Sequence, residues 1–298
     1  MSMQECKVAL IQHANRGGRD ENLAHIGQAL ESCGSRGINL VLLQELHNGP
    51  YFCQRENPDV FDLAEPLDGP TVEYLSRYAA RCNLVIVGSI FERRAPGIYH
   101  NTAVVLDSDG SLVGSYRKMH IPEDPGYHEK FYFTPGDESL RPIATSVGQL
   151  GVLVCWDQWY PEAARLMALA GAEMLLYPTA IGWDPSDTVE EQTRQHGAWE
   201  TIQRGHAVAN GLPVLACNRT GFEKDPGVDD DEAGQTFWGQ SFVAGPQGEI
   251  LARAPADQEM ILEATVSLAR SEKVRRIWPF LRDRRIDAYG DLTKRYRL

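Results

Sequence analysis

The sequence contains no long apolar run. No window approaches the ~20 consecutive apolar residues that cross a bilayer, and the stretch from Met1 to Ala9 lacks an apolar core followed by a cleavage signal. A soluble, cytoplasmic chain without a membrane partner is the expectation. Cysteine is also sparse and scattered. Cys6, Cys33, Cys53, Cys82, Cys155 and Cys217 form no CxxC pair and do not cluster with histidine. Neither a zinc site nor a disulfide framework is expected, and a reducing compartment fits. Positive charge is in deficit, with 29 Lys and Arg against 41 Asp and Glu and a formal net charge of -12. Such a surface repels phosphate backbones, so nucleic acid is not an expected partner. The acidity is compatible with a cationic substrate, although solubility alone would account for it. Repeats and Pro/Ser-rich linkers are absent as well, and the simplest organisation is one domain over residues 1–298.

What the chain does have is a regular alternation of apolar segments. Its 298 residues are 43% hydrophobic, enough for a large core. Strands are expected at Lys7–Gln12, Ile38–Leu43, Leu84–Phe91, Leu150–Cys155, Met174–Tyr177, Pro213–Cys217 and Met260–Val266. Most of them are near-continuous apolar runs of the kind buried on both faces. Helical spacing marks Asn22–Ser35, Thr71–Cys82, Glu162–Ala170 and Thr193–Asn210. Two hairpins interrupt the alternation, around Asp107–Gly110 and around Gly245–Gly248. A purely parallel doubly wound sheet does not require hairpins. A mixed α/β arrangement, or two stacked sheets with helices outside, fits better. The tail from Ser267 onward is basic and aromatic. It is expected either to lie across a partner subunit or to pack on its own domain.

Three residues follow strands and could carry chemistry. Cys155 ends a buried strand and precedes a helix, where α/β folds place their sites and where helix N-termini lower thiol pKa values. A buried structural cysteine has the same local signature. Glu45 closes Leu43-Gln44-Glu45 and reads either as a cap or as a site acid. Lys118, in Tyr116-Arg117-Lys118, is by itself an ordinary loop cation. The histidines His120 and His128 leave a cysteine–histidine pair open, but no Cys-Gly-Ser-Cys-Trp or Gln-Ala-Cys signature is present. The run Asp229–Glu232 reads as a solvated acidic loop.

Taken together, the Glu at Leu43-Gln44-Glu45, the Lys at Tyr116-Arg117-Lys118 and the Cys at Val154-Cys155-Trp156-Asp157 resemble, in order and spacing, the Glu-Lys-Cys triad of the nitrilase (carbon–nitrogen hydrolase) superfamily. Pro125–Phe133, Cys155–Arg165 and Tyr177–Gly182 extend the resemblance into the active-site loops. It implies a four-layer α-β-β-α sandwich with two mixed sheets, and homo-oligomers of two or more subunits, with residues 267–298 in subunit contacts. It also implies hydrolysis of an N-carbamoylated diamine to the free diamine, carbon dioxide and ammonia, with no metal and no organic cofactor. Within that resemblance Glu129 supports Lys118, and the Trp156 main-chain N–H assists the oxyanion. Ile181, Trp183 and Asp184 would contact substrate, with Asp184 on the distal amine and Trp183 adding cation–π attraction. Asp184 alternatively caps the turn before Pro185. Another amidase or ureidopropionase of the superfamily is the nearest alternative. A silent binding module of the same fold is the alternative of a different class.

Overall fold

The computed structural model describes residues 5–225 and 227–297; Leu298, the end of the expected contact tail, lies outside them. The strands are β1 Glu5–Gln12, β2 Leu40–Leu43, β3 Val85–Ala95, β4 Ile98–Leu106, β5 Leu112–Arg117, β6 Ile143–Thr145, β7 Gly148–Val152, β8 Met174–Pro178, β9 Gly182–Trp183, β10 Val214–Cys217, β11 Thr220–Lys224, β12 Gly234–Trp238, β13 Phe242–Ala244, β14 Ile250–Arg253 and β15 Met260–Ser267. The helices are α1 Arg19–Ser35, α2 Pro70–Cys82, α3 Glu129–Tyr132, α4 Pro161–Leu169, α5 Val189–Asn210 and α6 Leu268–Ile277. Among the described residues, no helix is long and apolar enough to cross a membrane.

Two six-stranded sheets form, in the orders β15-β1-β2-β3-β4-β5 and β14-β13-β10-β8-β7-β6. Each is parallel at its centre and antiparallel at its flanks: β1-β2-β3 and β7-β8-β10 run parallel, and the remaining pairs are antiparallel. The continuous apolar runs explain the layering, because alternate strand residues face opposite sides. Val8, Leu10, Leu40, Leu42, Val85 and Val87 point into the space shared with the second sheet. Their neighbours Ala9, Ile11, Val41, Leu43 and Ile86 point outward onto Ile26 and Leu30 of α1 and Val72, Leu75 and Ala79 of α2. The second sheet is covered by Ala164 and Met167 of α4 and by Trp199 and Ala207 of α5. The result is the α-β-β-α sandwich with two mixed sheets.

Helix boundaries follow local chemistry. Pro70 opens α2 with its φ already set, and Asn83 ends it in the left-handed region at φ 54°, the usual backbone state just past a helix end. Thr188 caps α5 by accepting the Glu191 N–H, and Gly211 closes it at φ 58°. Some features depart from the sequence expectation. Strand β3 continues to Ala95 and turns back at once into β4, adding a hairpin. A small third sheet, β11-β12-β9, forms beside the sandwich. The tail begins with α6, where Arg275 Nε donates to the Asn210 carbonyl at the end of α5, and it leaves Trp278, Ile286, Leu292 and Tyr296 exposed.

Candidate active site

Each of the three candidate residues lies just past the C-terminal end of a strand. Glu45 follows β2, Lys118 follows β5, and Cys155 comes three residues after β7. The side chains of Glu45 and Lys118 are fully buried, and Cys155 is 5% exposed at the base of a cavity. Lys118 Nζ lies between two carboxylates, donating to Glu45 Oε1 at 2.8 Å and to Glu129 Oε2 at 2.6 Å. Asn101 Nδ2, from β4, also donates to Glu45 Oε1 at 2.7 Å. That oxygen is therefore saturated, whereas Glu45 Oε2 is buried and accepts nothing among the described residues. Tyr51 Oη fixes Glu129 from behind by donating to its Oε1 at 2.8 Å.

The backbone is forced at the cysteine. Cys155 has φ 41°, an unusual value for a non-glycine residue. It opens the short 3-10 turn Cys155–Trp159 that leads into Pro161 and α4. Trp156 sits in the first turn of that segment, so its main-chain N–H has no partner within the turn. The Cys155 thiol donates to the Ala180 carbonyl at 3.8 Å. Burial, reinforced by Glu45 and opposed by Lys118, holds the thiol well above its ordinary pKa. Burial thus favours the neutral thiol over the thiolate. Burial opposes the charge on Lys118, but Glu129 and Glu45 outweigh it and keep the amine protonated. Burial, with repulsion from Glu45, pushes Glu129 up to about 7 against the pull of Lys118.

The cavity encloses about 400 Å³ and is walled by Tyr127, Trp156, Trp159, Ile181 and Trp238. Its charged lining is entirely acidic: Glu129 near the base, with Asp124, Asp184 and Asp187 further out. No Lys, Arg or His is among the described lining residues. Asp184 Oδ1 caps a turn by accepting from Ser186 N and Oγ, and the residue lines the cavity. Those bonds hold its pKa below the usual aspartate value. Trp183 is placed differently from expectation. It is absent from the cavity wall and packs its ring on Trp238, 5.2 Å between centroids, and it is Trp238 that lines the site. The cysteine–histidine alternative finds no support in the geometry: the His120 Nδ1 contacts Asp157 Oδ1 at 2.7 Å, and His128 Nδ1 contacts Glu123. The acidic run at 229–232 lies in the β11–β12 loop, where Asp231 pairs with Lys224.

Several residues around the site belong to no motif. Asn101 sits in the polar stretch His100-Asn101-Thr102 inside an otherwise apolar strand, a pattern that marks a buried polar contact. Arg219 is 1% exposed and follows β10; its Nη2 reaches the Glu45, Leu46 and Gly49 carbonyls and its Nη1 pairs with Glu223. An arginine two residues past a buried strand is the available clue. Tyr51 and Asp187 have no local signature.

Comparison with known proteins agrees with this geometry. Residues 7–276 match the carbon-nitrogen hydrolase family. The chain is 42% identical over 286 residues to an N-carbamoylputrescine amidase of Solanum tuberosum, covering 95% of this chain and 93% of that one. It is 39% identical over 295 residues to a citrullinase of Francisella tularensis, covering 99% and 100%. A crystal structure of a carbon-nitrogen hydrolase from Helicobacter pylori G27 superposes with a TM-score of 0.95 at 55% identity, covering 98% of this chain and 100% of that one. Two sheets with this layering, a buried Glu45–Lys118 pair behind the cavity-lining Cys155, and a family match over most of the length agree: the chain belongs to the carbon–nitrogen hydrolase family of the nitrilase superfamily.

Proposed function

We propose that this enzyme hydrolyses N-carbamoylputrescine to putrescine, carbon dioxide and ammonia, as a step of polyamine synthesis. The observation that carries the substrate choice is the charge of the cavity, whose ionisable lining is acidic throughout. N-carbamoylputrescine has a ureido group at one end and an ammonium at the other. With the ureido carbon at Cys155, the ammonium extends toward Asp184 and Asp187. A substrate ending in a carboxylate, such as N-carbamoyl-β-alanine, would meet acids and no cation there. Citrulline carries both charges, so its ammonium gains a partner and its carboxylate does not.

In the reaction, Cys155 Sγ attacks the ureido carbon while its proton passes to the unoccupied Glu45 Oε2. Lys118 and the Trp156 N–H hold the negative oxygen of the tetrahedral intermediate; one such donor is typically worth ~3–4 kcal/mol of barrier. Glu45 returns the proton to the leaving nitrogen and ammonia departs, leaving a thiocarbamoyl enzyme. Water, activated by Glu45, then attacks the same carbon and Cys155 leaves. The released carbamate decomposes to carbon dioxide and putrescine. No metal or organic cofactor takes part. The subunits associate as homo-oligomers, supported by the apolar side chains exposed along the tail, and light scattering of the purified chain tests this.

The deciding assay is ammonia release from N-carbamoylputrescine, citrulline and N-carbamoyl-β-alanine in parallel, with Cys155→Ala as blank. The expected preference for the first over the third in kcat/KM is ~100-fold or more, equivalent to ~2.7 kcal/mol for an unpaired carboxylate. Preference for citrulline would retain the hydrolase and replace the substrate. Activity in the Cys155→Ala protein would overturn the mechanism.

A further inference from the structure

Asp157 lies two residues beyond Cys155 and is fully buried. Its carboxylate accepts four hydrogen bonds from two different chain segments. Oδ2 accepts from Val154 N at 2.9 Å and from Tyr116 Oη at 2.8 Å. Oδ1 accepts from His120 N at 3.1 Å and meets His120 Nδ1 at 2.7 Å. Val154 immediately precedes Cys155, and Tyr116 and His120 flank Lys118 two residues to either side. One carboxylate thus grips both the segment carrying the cysteine and the segment carrying the lysine. The Tyr116 hydroxyl is also approached by the Met119 N–H at 3.3 Å, which tightens the same loop. His120 is held further by stacking on Tyr160, with ring centroids 3.7 Å apart and planes 7° apart.

We infer that Asp157 is a positioning residue that holds the Cys155 elbow in register with Lys118, so that sulfur and ammonium converge on one substrate carbonyl. The inference rests on the catalytic roles proposed above for those two residues. The need for such a device is visible in the backbone. Cys155 at φ 41° is strained, as a side-chain-bearing residue in the left-handed region is. The bond from Val154 N to Asp157 Oδ2 spans that residue and closes the turn around it. The two segments come from different sheets, β5 in the first and β7 in the second, so the sheet ladders alone do not fix their separation. A catalytic constellation misplaced by about 1 Å typically loses ~100-fold in rate.

The test is Asp157→Asn, which preserves shape and volume. Whichever way the amide turns, an NH₂ group faces either the Val154 N–H or the His120 N–H, and one clamp opens. The expected result is kcat reduced ~100-fold with KM within ~3-fold, together with a slower second-order rate of Cys155 alkylation by iodoacetamide across pH ~6–9. Tyr116→Phe removes the bond to Asp157 Oδ2 together with the longer Met119 N–H contact, and should lower kcat by ~3- to 10-fold without changing KM. It decides the question if the Asn variant fails to fold. A purely structural Asp157 would lower the unfolding temperature but leave kcat per titrated active site, and the alkylation profile, as in the parent; that result overturns the inference. If Cys155→Ala retains activity, the underlying mechanism fails first and the inference falls with it. If Cys155→Ala is dead while both Asp157→Asn and Tyr116→Phe turn over normally, only the inference fails.

Discussion

Two carboxylates bracket the fully buried Lys118 ammonium, and each has a second oxygen in a different state. The Glu129 second oxygen is closed off by Tyr51; the Glu45 second oxygen is open. In the mechanism proposed above, that asymmetry suits Glu45 to act as the base and Glu129 as its support. Glu129→Gln keeps the shape and can still accept from Tyr51, but it removes half of the negative charge facing Lys118. Lys118 then leans on Glu45 alone and lowers its appetite for the thiol proton. A drop in kcat of about 100-fold, ~2.7 kcal/mol, is expected, with KM nearly unchanged; steady-state kinetics on the preferred substrate measures it. Further out, Asp184→Lys should cut kcat/KM for N-carbamoylputrescine by at least ~10-fold relative to N-butylurea, which has the same ureido end and no ammonium. An unchanged ratio between these two substrates would remove Asp184 from the amine site.

At the scale of elements, the loop after β2 is shaped by a residue from the opposite sheet. Leu46 stands at φ 47° beside Glu45, and the Arg219 guanidinium ties down three carbonyls of that loop while pairing with buried Glu223. Glu223 in turn accepts the Tyr51 N–H, so one cross-link braces the loops of both Glu45 and Glu129. Replacing Arg219 by Leu strands a buried carboxylate and three carbonyls, and ~3–5 kcal/mol of stability should be lost in urea unfolding. Arg219→Lys keeps the charge and should lose less. These contacts explain what the sequence could and could not disclose. Ile38–Leu43 is legible because five of its six residues are apolar and the run is buried on both faces. Glu45, Lys118 and Cys155 are legible through a spaced motif. Arg219 acts on residues some 170 positions away, and no local pattern encodes that. The sheet β11-β12-β9 escapes because β9 is two residues long. Helix α6 escapes because its sequence is half charged and buries only Leu268 and Ser271, leaving no apolar stripe.

The molecule as a whole holds most of its histidines away from protons. His13, His25, His47, His100, His196 and His206 all have lowered pKa values, burial being the first cause in each. His13 and His47 fall furthest, to about 3 from an ordinary 6.5. For His47 the geometry shows why: its Nδ1 already accepts the Ser89 N–H, and the buried Nε2 has no acceptor among the described residues. Below pH 6.5 the unfolded chain takes up a proton at each of these sites and the folded chain does not. Stability is therefore full above about 6.5 and declines as pH falls toward about 3, by about 1.4 kcal/mol per pH unit per group. At pH 5 the two deepest histidines together should cost roughly 4 kcal/mol. Glu129 works in the opposite sense. Its folded pKa of about 7 exceeds the ordinary 4.5, so between those values the folded chain binds the extra proton and gains stability on acidification. The raised Glu129 carboxyl therefore offsets part of the histidine loss on acidification. Thermal unfolding at pH 7.5 and pH 5.0 should then show a modest net fall for the parent protein. His47→Gln should flatten that fall, and Glu129→Gln should steepen it by several degrees, because the offset disappears while the histidines remain. Parallel pH profiles for the parent and both variants would show that neither group titrates differently on folding.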